Sequence, residues 1–181
     1  LEGLAVLGRL ASGLDLNEVF ATAGGRMVVR GGAAACVPQG VPADAQGRRG
    51  FRLGCTAVGP LGPVRLDVAV QVEPTLRIVG ERLSGSGQTL LSTALLDPNR
   101  PTVQAAWHTA GSVAVTRAPL PDDQLATALL PLRVSGSTEG QRLVLSAAEQ
   151  MVVALRGVFP IAPRPERMRG PQVAEVLSTT L

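Results

Sequence analysis

The side chains of this chain that could do chemistry are few and scattered. His108 is the single histidine, beside Trp107 and close to Ser112, with Ser92 further upstream. A hydrolase would use His108 as general base and Ser112 or Ser92 as nucleophile. Neither serine sits in the Gly-x-Ser-x-Gly turn that exposes such a nucleophile. Glu73 and Glu81 flank one predicted strand and would form a glycosidase-like carboxylate pair. Sugar subsites favour aromatic platforms, yet aromatic residues are 2% of the chain and tyrosine is absent.

Asp122-Asp123 resembles half a calcium site, without the loop spacing that would complete it. Cys36 and Cys55 lack metal-ligand spacing, and one histidine cannot complete a zinc set with them. Each cysteine lies in an apolar run, which reads as a buried thiol rather than a disulfide partner. Gly24-Gly25 and Gly85-Ser86-Gly87 lack the helix start and the lysine of a phosphate loop. These residues therefore assign no catalytic, cofactor-binding or metal-ligating position, and no cofactor is expected.

Composition points the same way. The 181 residues are 45% hydrophobic with a net charge of +3, and all 17 basic residues are arginines. Apart from Arg48-Arg49 and the group Arg164, Arg167 and Arg169, the arginines are dispersed. That is a poor footprint for nucleic acid, which also wants stacking aromatics. No uncharged apolar run reaches the roughly 18 residues of a membrane span. The chain starts Leu1-Glu2 without methionine, which reads as a fragment of a longer polypeptide or a processed form.

The elements that would carry any site are mostly strands. Val64, Leu66, Val68, Val70 and Val72 alternate with Arg65, Asp67, Ala69 and Gln71, giving one oily and one largely wet face. Phe51, Leu53, Cys55 and Ala57 do the same against Arg52, Gly54 and Thr56, before the Gly59-Pro60-Leu61-Gly62-Pro63 break. The spacing predicts a β-hairpin at the centre of the fold, with Pro74 interrupting its outgoing arm. A further hairpin is predicted from Val103–Trp107 and Ser112–Arg117. Short strands are also expected at Met27–Arg30, Ala33–Val37, Leu76–Val79, Thr89–Leu95 and Leu132–Ser135.

Helical signals are fewer. Leu4, Leu7, Leu10, Ala11 and Leu14 have helical spacing, with Gly3, Gly8 and Gly13 suited to close packing. Asp15 and Glu18 form a capping box for a short helix. Asp122 or Asp123 is expected to cap another over QLATALL, stopped by Pro131. Residues 141–156 read as a closing hairpin, Arg142–Leu145 and Met151–Arg156. The rival reading is one helix, with Ser146 and Glu149 as its capping box.

The pattern suggests roughly eight to ten strands with turn signals every eight to twelve residues. The expected fold is mainly β: an antiparallel β-sandwich or open barrel, with an N-terminal helix and one or two short helices. The expected layout is an N-terminal helical segment over 1–25, a β domain over 26–159 and a Pro/Arg-rich arm over 160–181. In that arm Arg164, Arg167 and Arg169 would pair with acidic groups, while Val173, Val176 and Leu177 would fill a groove.

The function this favours is a non-enzymatic assembly domain with protein partners in a homo- or hetero-oligomer. A shell or capsid-type component, as in a virion, and an adaptor-like appendage both belong to that class. The alternatives are a hydrolase using His108 and a carrier of small apolar ligands. Nucleic-acid binding ranks below these.

Overall fold

The structure, a computed structural model, describes residues 2–21, 29–110 and 114–158. Six strands follow one another along the chain. They are β1 (Arg49–Gly59), β2 (Gly62–Glu73), β3 (Arg77–Gly85), β4 (Gln88–Ala94), β5 (Thr102–His108) and β6 (Val115–Pro121). Each pairs antiparallel with its sequence neighbour, in the order β1-β2-β3-β4-β5-β6. The protein is thus mainly an open antiparallel sheet, not closed into a barrel, with an N-terminal helix and further helices. Edge strand β6 carries Pro119 and Pro121, which lack an N–H and discourage further pairing.

The turns follow from their residues. Gly59 opposes Gly62 across Pro60-Leu61, so β1 and β2 form the long hairpin their alternation predicts. Ser86 and Gly87 link β3 to β4 with φ of 52° and 73°. Left-handed conformation at both central residues matches the twist of the strands they join.

One face of the sheet is buried. Cys55, Leu66, Leu83, Leu91, Trp107 and Thr116 are register partners in a single row across all the strands. The covering layer is helical. It comprises α1 (Glu2–Ala11), α2 (Leu16–Phe20), α3 (Ala126–Leu129) and α4 (Glu139–Arg156). Helix α4 touches β1 through β5, so it spans the inner face. Its Met151 is fully buried, with Sδ 3.6 Å from Cys55 Sγ.

Helix α1 buries Val6, Leu7, Leu10 and Ala11. A Cβ at Gly8 would stand 2.9 Å from the Leu155 carbonyl oxygen, so glycine lets α1 lie directly on α4. Arg156 of α4 in turn donates through Nε to the Ala11 carbonyl at 2.9 Å, satisfying a free carbonyl at the end of α1. The Asp15/Glu18 capping box of α2 forms as expected, each side chain accepting the other residue's N–H at 2.9 Å.

Several expectations are corrected. Residues 141–156 belong to one helix, capped by Thr138 rather than Ser146. Its buried residues Val144, Ala147, Ala148, Met151 and Leu155 keep the helical period, whereas Val153 is 64% exposed. Residues 33–36 form a 3-10 turn, and Leu132 ends another that begins at Leu130. The described residues hold six strands, below the roughly eight to ten expected, and the expected strand at 27–30 lies partly outside them.

Helix α3 exists, but neither Asp122 nor Asp123 caps it. The Glu81 carboxylate of β3 takes that place. It accepts the N–H groups of Ala126 and Thr127, each at 2.7 Å, and the Thr127 hydroxyl. Asp122 is buried instead beside Arg77, at 3.5 Å from its Nε. Arg77 also donates through Nη1 to the Pro98 carbonyl at 2.9 Å, tying the β4–β5 loop to β3.

Candidate functional site

Among the described residues, no helix covers the opposite face of the sheet. A second continuous row crosses it: Gly54, Asp67, Arg82, Ser92, Ala106 and Arg117, one from each strand in turn. Register partners point to the same side of a sheet, so these six positions share the open face. Arg52 pairs with Ala69, and Ala69 with Gly80, forming a parallel row beside them.

A bulge makes this arrangement. Ala69 opposes Gly80 while Val70 opposes Ile78, so Val79 is an extra residue in β3. An extra residue reverses the side-chain alternation beyond it. Ile78 is buried before the bulge; Glu81 and Leu83 are buried after it. The bulge therefore turns Glu81 into the core and Arg82 out to the open face.

Two hollows meet on that face. One, of about 730 Å³, is lined by Arg52, Gly54, Arg65, Asp67, Ala69 and Gly80 among others, and reaches Arg82. The other, of about 690 Å³, has Ser92, Ala94, Gln104 and Ala106 in its lining, with Leu96, Arg117 and Pro119 beside them. Ser92 and Thr93 belong to both. Leu96 is 72% exposed, so a large apolar side chain meets water here.

The charge on this face is positive. Arg65 grips Asp67 through two hydrogen bonds of 2.8 and 2.6 Å, and those two charges offset each other. Arg52, Arg82 and Arg117 are exposed and form no ion pair among the described residues. At the rim Arg49 holds Glu73 with bonds of 2.8 and 2.7 Å. That guanidinium keeps the Glu73 carboxyl below the ordinary glutamate range.

The residues singled out from sequence are not assembled into one site. His108 ends β5 half-buried and has no side-chain hydrogen bond among the described residues. Ser92 faces Ala106 across β4 and β5, with no bond to His108. Ser112 lies outside the described residues, as does the glycine pair at 24–25. Glu73 is engaged by Arg49 at the rim, and Glu81 is enclosed beneath the sheet, so the two share no cleft.

Cys36 and Cys55 are free thiols, each raised above the ordinary thiol value by burial. No group of three or more His, Cys, Asp or Glu side chains among the described residues could hold a metal ion. Arg164, Arg167, Arg169, Val173, Val176 and Leu177 lie outside the described residues. No described helix is long and apolar enough to cross a membrane.

Sequence reading found part of the open face, in Arg65, Asp67 and Gln71, though Gln71 is in fact buried at 7% exposure. The alternation also puts Arg52 on the outward side of its strand, where it lies; Arg82 and Arg117 are not found that way. Their common signal is position: each occupies an outward place on its strand, visible once the strand register is known. Comparison with known protein families, curated proteins and solved structures returns no match.

Proposed function

We propose that this chain is a protein-binding module that acts within a larger assembly through the open face of its sheet. One observation carries the reading. The sheet is covered by helices on one side, while its other side sets Gly54, Ala69, Gly80, Ser92 and Ala106 near Arg52, Arg82 and Arg117, which have no ion-pair partner among the described residues. A face adapted only to water has no need of a floor of small residues. Small residues let another backbone approach closely, and charged residues around them fix its orientation. The exposed Leu96 adds apolar contact area at the margin.

A shell component and an adaptor-like appendage both belong to this class. Arg164, Arg167, Arg169, Val173, Val176 and Leu177 of the arm are a second contact in the same reading. The test is the native mass of the tagged full chain recovered from its source cells. A particle well above the mass of one chain is expected, collapsing to a single chain when Ala106→Arg fills the floor. A wild-type chain that runs as a monomer contradicts the proposal.

A further inference from the structure

Resting on that reading, we infer that the partner of the open face is an acidic helix of another protein, laid in the trough between Arg82 and Arg117. The floor is Ser92 and Ala106, which bridge these arginines in the register row. Three strand spacings separate β3 from β6, which sets the backbones that carry the two walls roughly 14 Å apart. An α-helix with its side chains is about 10–12 Å across. An extended strand would leave much of that width empty.

The trough also states what the helix must carry. Its contact line meets Ser92, Ala94, Ala106 and the amide of Gln104 below and Leu96 and Pro119 at the side. Small or medium apolar residues on that line fit this lining. Both walls are guanidinium groups without a partner among the described residues. A carboxylate on each flank of the helix satisfies them, with the paired geometry that arginine favours. The nearest acid in the row, Asp67, is already bound to Arg65 and does not compete.

Other occupants fit the charges less well. A second copy would bring like-charged arginines together. The segment 159–181 has three arginines, Arg164, Arg167 and Arg169, against two acids, Glu166 and Glu175. Nucleic acid would meet a face without an aromatic stacking platform among the described residues, since Trp107 lies in the buried row.

The experiment measures native mass of the tagged full chain from its source cells, with and without nuclease. Arg82→Glu with Arg117→Glu reverses the walls; Ala106→Arg fills the floor. All three positions face solvent or the open hollow, and circular dichroism checks that each variant keeps its fold. The expected result is a nuclease-resistant complex lost in both variants. Loss with Ala106→Arg and retention with charge reversal keeps the docking face and overturns the acidic helix. Retention in both overturns the docking face and this inference together. Dissolution by nuclease, or self-association of the purified chain at the same mass, overturns the inference in favour of nucleic acid or a second copy.

Discussion

The Glu81 carboxylate accepts the backbone N–H of Thr127 at 2.7 Å, across 46 positions of sequence. One oxygen of β3 thereby anchors the start of α3, and the other takes the N–H of Ala126 at 2.7 Å. Burial disfavours the charged form and outweighs these donors, so the carboxyl is raised to about 7. In the unfolded chain it returns to about 4.5. Between those values the folded state keeps a proton that the unfolded state releases. Stability from this group is therefore greatest below about pH 4.5 and declines as pH rises towards 7. The full difference is on the order of 3 kcal/mol. Glu81→Gln removes the titration, although its amide then faces the Ala126 N–H. Urea unfolding at pH 5 and pH 8 should show a smaller difference in the variant than in the wild type. An unchanged difference would place the titrating group elsewhere.

Gln150 of α4 fastens the β1–β2 turn. It accepts the Leu61 N–H at 3.0 Å and donates to the carbonyls of Gly62 at 2.8 Å and Ala57 at 3.2 Å. Gln150→Ala leaves a half-buried N–H without this partner, at a cost of about 1–2 kcal/mol. Urea unfolding measures that cost, and amide exchange should quicken at Leu61. Unaltered exchange there would mean that the turn holds its own shape.

Gly140 and Gly157 lie near opposite ends of α4 and should respond differently to alanine. A Cβ at Gly140 would sit 2.5 Å from the Thr109 carbonyl carbon, whereas at Gly157 its nearest contacts are an ordinary 3.5 Å. Alanine usually strengthens a helix interior by about 1 kcal/mol. At position 140 the backbone clash wins, and Gly140→Ala is expected to cost about 1–3 kcal/mol net. Gly157→Ala should be close to neutral. Equal melting temperatures for the two variants would contradict this packing.

How much was legible in the sequence depended on how local the cause was. The β1–β2 hairpin was readable because Val64, Leu66, Val68 and Val70 alternate strictly and all are buried. The α2 capping box was readable because both partners lie within one turn. Helix α4 was misread because Leu143, Leu145, Met151, Val153 and Leu155 imitate a period of two. Its real buried face runs through Val144, Ala147 and Ala148. The α3 cap came from a residue far away in sequence. The Arg82–Arg117 trough depends on four strand registers and on the extra Val79, none of which a local pattern reveals. The expected arm residues lie outside the described structure and remain part of the proposal.

The most direct measurement of the docking face is site-resolved crosslinking in the source cells. A photoreactive residue is placed at Ala106 on the open face, and in a separate chain at Val153 on the exposed side of α4. One discrete adduct with another protein is expected from position 106 and none from 153. Adducts from 153 alone, or from neither position, would contradict it.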